Sequence, residues 1–323
     1  MTILKRHAFS RRDFCLCCLS ASSLATTGGW LTPRQAYAEA LGIVQSITSA
    51  AATTPIKVYR LRGNVAVLEG SGGNIAVLTG PDGKLLVDAG IAVSQPHLSR
   101  VLTTLDQEPI THLINTHWHF DHSNGNEWLC KLGPKILAHA NTLKHLETIQ
   151  RVSDWDYEFK PLSPDALPSE TFLIDRSLVL NHTKVYLKFY GPAHTDSDAY
   201  VHLADIDILH TGDIFWNGIY PFIDYSTGGS IDGMIRAVEA SLILSSNRTI
   251  IIPGHGAPVS NRAELLEFLG MLSTVRQRVA TLKQQGRSFE DILKARPTAE
   301  YDQKWGQSVV SPSFFTRLVY EGV

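Results

Sequence analysis

From residue 56 onward the chain is built of short apolar runs broken by glycine- and proline-rich turns. That spacing predicts strands over residues 56–61, 64–69, 74–79 and 84–88, with Pro81-Asp82-Gly83 closing one of the turns. A helix over 95–105 and a strand over 111–115 follow, and the strand runs directly into Thr116-His117-Trp118-His119-Phe120-Asp121-His122. Residues 125–132 read as a short helix after that run. The second half repeats the plan without a clear sequence repeat, with strands over 184–190, 199–203, 207–210 and 249–252. Helical periodicity returns over 262–283, where Leu265, Leu266, Leu269, Leu272, Val275 and Val279 share a face that reads as packing surface. Residues 39–55, rich in Ala, Ser and Thr, read as a leader or linker with little fixed structure.

Composition changes this picture mainly at the amino terminus. With 44% hydrophobic and 19% charged residues over 323 positions, the chain can bury a sizeable core. Residues 1–38 stand apart from that core. Ser10-Arg11-Arg12-Asp13-Phe14 precedes a weakly apolar stretch, and Ala36-Tyr37-Ala38 supplies a small-x-small cleavage site, the pattern of a twin-arginine export signal. The expectation is a periplasmic or secreted protein whose partner in transit is the twin-arginine machinery. Cleavage after Ala38 would leave 24 basic against 30 acidic side chains and Cys130 as the sole cysteine. An acidic chain without a basic run argues against a nucleic-acid partner. One cysteine allows no internal disulfide, and no apolar run of about twenty residues remains to insert stably in a membrane.

The candidate chemistry lies in the histidine-rich run. Alternate residues of an extended segment point to one side, so His117 and His119 can converge on one cation. Asp121 and His122 follow where the chain should turn, facing a neighbouring position. Imidazole nitrogen and carboxylate oxygen suit zinc first, then iron, manganese or cobalt.

With Asp88 in Leu-Leu-Val-Asp-Ala-Gly, His194 in Gly-Pro-Ala-His-Thr, Asp213 in His-Thr-Gly-Asp and His255 in Pro-Gly-His-Gly, five motifs occur in order. In these the chain resembles the metallo-β-lactamase superfamily over residues 56–260. The resemblance implies an α/β fold, a four-layer αβ/βα sandwich of two mixed sheets flanked by helices, with residues 261–323 as a helical extension packed on it. It also implies two zinc ions per chain, one held by His117, His119 and His194, the other by Asp121, His122 and His255, with Asp213 bridging both. Asp88 would orient a ligand and the neighbouring loop. The other histidines, including His97, His112, His139, His145, His182, His202 and His210, fit no ligand pattern.

Such a site implies hydrolysis by a hydroxide shared between two cations, on an ester, lactone, amide or thioester of a small molecule, with Asp121 carrying a proton to the leaving group. Asp213 places the chain nearer the glyoxalase- and lactonase-type enzymes than the β-lactamases proper, which generally have cysteine or serine in that region. No glutathione site is evident in the last sixty residues. The alternatives are antibiotic hydrolysis and a mononuclear-iron persulfide dioxygenase on the same scaffold. Residues 214–233, with Trp216, Tyr220, Phe222 and Tyr225, have two readings: an apolar substrate wall with a tyrosine hydroxyl aimed at an oxyanion, or a loop pinned to the core. Residues 152–168, with Trp155, Tyr157 and Phe159, form a second candidate lid.

The export reading is directly testable. Replacing Arg11 and Arg12 by lysine keeps the charge and removes the guanidinium pair, so unprocessed chain should accumulate in the cytoplasm on cell fractionation. Unchanged export would assign the leader to another route.

Overall fold

The computed structural model describes residues 42–323; the export leader lies outside the described residues. The first helix, α1 (Ile43–Thr53), replaces the unstructured linker expected there. Its apolar residues fall on one face: Val44 and Ala51 are buried, and Ile43 and Ile47 pack beside them. Burial of that face, rather than local composition, orders the segment.

Two sheets carry the remainder. In the first, β1 (Lys57–Arg60), β2 (Val65–Glu69), β3 (Ile75–Leu78) and β4 (Lys84–Val87) form an antiparallel meander. β5 (Ile110–Ile114), β6 (Lys135–His139) and β9 (Glu170–Phe172) then add in parallel, each after a crossover. The helix α2 (Gln95–Leu105) makes the β4-to-β5 crossover with the expected bounds. Short helices α3 (Phe120–Ser123) and α4 (Asn126–Leu129) follow β5, and α5 (Ala140–Leu146) follows β6. The ribbon of β7 (Gln150–Val152) and β8 (Tyr157–Phe159) stands apart from both sheets.

The second sheet orders β10 (Asp175–Leu180), β11 (Thr183–Phe189), β12 (Ala199–Leu203), β13 (Ile208–Asn217) and β14 (Ile250–Gly256), antiparallel until the last, parallel pair. The helix α6 (Ile231–Leu244) makes that parallel crossover. Helices α7 (Arg262–Gln284), α8 (Phe289–Ala295), α9 (Asp302–Trp305) and α10 (Pro312–Glu321) complete the chain.

Strands β2, β3 and β4 are buried on both faces, and successive side chains alternate between two cores. Val65, Val67, Leu85 and Val87 of the first sheet meet Val185, Leu187, Val201 and Ile208 of the second in one core between the sheets. The opposite faces, with Leu68, Val77, Leu86 and Leu113, receive Leu98 and Leu102 of α2. On the far side Ile214, Phe215 and Ile251 receive α6 and α7 through Val238, Leu265, Phe268 and Val275. The result is helix, sheet, sheet, helix, the four-layer α/β sandwich expected. Within α7, Leu266 departs from the predicted face and is exposed, because the helix buries Phe268 and Met271 instead.

The inter-sheet core makes a simple test. Leu187→Ala removes a fully buried side chain between the sheets and should lower the unfolding free energy by about 2–5 kcal/mol in denaturant titration. Val179→Ala on the exposed edge strand should change it by less than about 0.5 kcal/mol.

Candidate metal centre

The candidate ligands arrive from four loci at one end of the sandwich. His117, His119, Asp121 and His122 follow β5 through a bend into α3; His194 lies between β11 and β12; Asp213 and His255 lie on the neighbouring strands β13 and β14. Two details depart from the sequence reading. The His117–His119 segment is a bend, not a strand, yet the two rings still converge with centroids 4.9 Å apart. Asp213 and His255 sit inside strands, because β13 runs on to Asn217 and β14 to Gly256. The register of this pair slips between His210 and Gly212 and again before Trp216, and such irregularities re-aim side chains at a sheet end.

The ligand atoms form two groups, His117, His119, His194 and Asp213, and Asp121, His122 and His255, each within a 4.8 Å span. Asp213 joins them. Its Oδ1 lies 3.1 Å from His122 Nε2, while its Oδ2 lies 3.3 Å from both His194 Nε2 and His255 Nε2. Asp121 Oδ2 is 3.2 Å from His255 Nε2.

Hydrogen bonds from behind fix which nitrogen of each ring faces inward. His119 donates from Nε2 to Asp224 at 3.0 Å, leaving the Nδ1 lone pair inside. His194 donates from Nδ1 to the Phe222 carbonyl at 2.8 Å, leaving Nε2 inside. His122 donates from Nδ1 to Asp88 at 2.8 Å, and Asp88 also accepts from the Thr116 backbone N–H and hydroxyl. Asp88 thus sits behind His122 and ties it to Thr116. The consequence is that the lone pairs of His119 Nδ1 and His194 Nε2 face one another 2.8 Å apart, while His122 Nε2 and His255 Nε2 lie 3.2 Å apart beside the carboxylates of Asp121 and Asp213. His117 Nε2 is buried without a hydrogen-bond partner, 3.9 Å from Asp213 Oδ2. Inward imidazole nitrogens and carboxylates buried together are what a bound cation would satisfy, so the donor set fits metal ions.

Proton affinities follow the same field. Burial, reinforced by neighbouring His122, holds His117 well below the usual imidazole range. Burial likewise lowers His119, against the hydrogen bond to Asp224. At His122 burial is outweighed by Asp213, Asp121 and Asp88, which raise it well above that range. For Asp224 burial is outweighed by the hydrogen bond from His119, and its carboxyl is pulled down to about 2. Buried Asp198, pushed up to about 6 by desolvation, accepts from the backbone and hydroxyl of Thr195 and pins the loop beside His194.

Several of these contributors carried no clear sequence signal. Asp224 lies in the aromatic segment and could have been singled out only as its buried acid. Gly73 and Gly254 are required by close approach, since a Cβ at Gly73 would run into the His122 ring and one at Gly254 into Asp213. Of the four aromatic candidates, Trp216 and Phe222 line the cavity over the ligands. Tyr220 and Tyr225 do not. Tyr220 stacks on Phe315 and donates to Asp302, and the Tyr225 hydroxyl is buried beside Gly322 and Ile231, so neither hydroxyl is an oxyanion donor. Of the second lid, Trp155 reaches the cavity, whereas Tyr157 and Phe159 line a separate hollow behind Trp118. His210, outside the ligand pattern, is buried beneath the site, bonded to the Asn74 carbonyl.

Solved structures share this architecture at low identity. The sec-alkylsulfatase Pisa1 from Pseudomonas sp. is similar over 82% of this chain and 50% of its own, with TM-score 0.60 and 16% identity. This chain therefore spans about half the length of that protein. The DIM-1 metallo-beta-lactamase is similar over 68% of this chain and 98% of its own, with TM-score 0.55 and 20% identity. A metallo-beta-lactamase from Pontibacter korlensis is similar over 68% and 99%, with TM-score 0.53 and 18% identity. The family model described as "Metallo-beta-lactamase superfamily" matches residues 68–262, from β2 to the start of α7. With the ligand motifs converged in that span, the chain belongs to the metallo-beta-lactamase superfamily.

Proposed function

We propose that this chain is a two-metal hydrolase, with zinc as the favoured ion, acting on an ester, lactone, amide or thioester bond of a small molecule. The observation that carries the reading is the Asp213 carboxylate, whose two oxygens face the two ligand groups. A metal pair held there would supply a water of lowered pKa and a Lewis acid for the substrate oxygen.

The chain's own residues supply the rest. His117, His119 and His194 would hold one ion and Asp121, His122 and His255 the other. Asp88 and Asp224 keep the rings of His122 and His119 in the tautomers that present lone pairs inward. Asp121 lines the cavity and bonds to His255, the position from which a carboxylate can hold a proton for the leaving group. Trp155, Trp216 and Phe222 wall the cavity and exclude water from it. The filled second group favours this over a single-iron persulfide dioxygenase. The presence of Asp213 favours it over dedicated antibiotic hydrolysis. Export by the twin-arginine route remains part of the proposal, since that route carries proteins already folded around their metals.

Elemental analysis of zinc-loaded chain should give about two ions per chain, and a screen of chromogenic esters, lactones, β-lactams, sulfate esters and glutathione thioesters should find turnover among the esters or lactones. Saturation by one iron, with oxygen consumed on a persulfide, would overturn the reading. Asp213→Ala and Asp213→Asn should lose the more weakly held ion and recover activity partly at high added zinc. Asp224→Asn should keep both positions but weaken metal affinity or activity about 10- to 100-fold. Two ions and normal turnover in both Asp213 variants would remove the bridge.

A further inference from the structure

The cavity over the metal-binding residues has a sharply divided lining. Its ionisable groups are confined to the floor, where His119, Asp121, His194, Asp213 and His255 lie. The wall and roof are apolar. Trp155, Trp216 and Phe222 come from the sequence-predicted segments, whereas the roof comes from two places outside the family-matched span: Ile43 and Ile47 of α1, and Val309, Val310 and Phe314 at the start of α10. Among the described residues no lysine or arginine lines this cavity. The nearest buried cation, Arg317, packs over the Phe314 ring but is engaged by Asp154 and Glu321.

Two of the lining residues carry a buried polar atom that has no hydrogen-bond partner among the described residues. Trp216 Nε1 and Ser308 Oγ are buried without a hydrogen-bond partner, and both residues line the cavity. Trp216 is 6% exposed and lies over the floor, its ring 4.3 Å from that of His255 across the β13–β14 pair. Among the described residues no protein atom pairs with either group, so an acceptor drawn in beside Trp216 and Ser308 would give both a partner.

We propose that this cavity takes a substrate whose non-reacting part is an uncharged aliphatic or aromatic group bearing one hydrogen-bond acceptor, and that Trp216 Nε1–H and Ser308 Oγ–H hold that acceptor. This rests on the hydrolase reading only for what happens at the floor. A carboxylate, sulfate or phosphate carried away from the scissile bond would be buried among isoleucine, valine and phenylalanine with no countercharge. A hydroxyl, ether or carbonyl oxygen would meet two waiting donors. Selectivity thus arises from α1, the 308–314 segment and the Trp155, Trp216 and Phe222 walls, and chemistry from the floor.

Binding can be read without turnover, because Trp155 and Trp216 report on a heavy atom in the cavity. Quenching of tryptophan fluorescence in the full chain is titrated with ω-bromohexanol, ω-bromohexanoate and bromohexane. The alcohol should bind at least about tenfold more tightly than the carboxylate. Trp216→Phe, read through Trp155, should weaken the alcohol about threefold to tenfold and leave bromohexane unchanged. Ile47→Arg, or Val309→Lys should that variant fold poorly, should reverse the order of alcohol and carboxylate. Equal binding of carboxylate and alcohol, or a Trp216→Phe loss shared by bromohexane, overturns the inference. The parallel hydrolysis arm uses nitrophenyl acetate and hexanoate on the zinc-loaded chain. Binding order kept with no ester cleaved sinks the hydrolase reading alone; both esters cleaved at equal efficiency, with the binding order absent, sinks the pocket inference alone.

Discussion

Everything at this end of the molecule answers to one constraint: several imidazole lone pairs are buried facing one another, with two carboxylates between them. Left alone, that arrangement is unfavourable, since each lone pair needs a positive partner and each carboxylate has lost its water. The protein holds it from behind. Asp88, Asp224 and the Phe222 carbonyl take the outward N–H of His122, His119 and His194, so these three rings are held in place. Asp224 is in turn held by the Ser226 and Thr227 hydroxyls, and Asp88 by Thr116. The cluster is a socket whose shape persists because its outer surface is saturated with hydrogen bonds.

The sandwich makes that socket affordable in structural terms. Loops can reach a common point only where several strands end together, and here β5, β11 and the β13–β14 pair do so at one edge of two packed sheets. The slipped register of β13 on β14 aims Asp213 between the two ligand groups, and it leaves Trp216 opposite His255. Glycine at 73 and 254 then lets backbone pass where a side chain would occupy ligand space. Close packing of the inter-sheet core transmits the demand, since a shift of either sheet would move ligands that come from both.

The first five strands and the ligands were legible in the sequence because each had a local signature, whereas β6 and β9 of the same sheet were not read from it. The turn-bounded apolar runs at Val65–Glu69 and Ile75–Leu78, and the density of His117, His119, Asp121 and His122, depend on neighbours in the chain. The helix Ile43–Thr53 was not legible, because its order comes from packing in a core cluster whose other members, Trp155, Phe222 and Phe314 among them, are far away in sequence. The same reason hid the roles of the tyrosines. Aromatic density in residues 214–233 marks burial as readily as a pocket, and only the position of Asp302 and Phe315 shows that Tyr220 belongs to the packing. Asp224 is legible only once His119 is seen to need an acceptor.

This division between local and distant information has a functional counterpart. The span matched by the family, residues 68–262, contains every candidate ligand and both carboxylates that orient them. The cavity roof lies outside it, in α1 and in residues 308–314. Low-identity likeness to an alkylsulfatase and to β-lactamases therefore speaks to the fold that carries the socket and is silent about the surface a substrate tail would touch. Because the roof packs on the floor without sharing its hydrogen bonds, its residues can change polarity while the orienting network of Asp88 and Asp224 stays intact. Reaction and selectivity are thereby free to vary separately on this chain, and the uncharged lining with two unpartnered donors is the part of the structure from which its substrate has to be read.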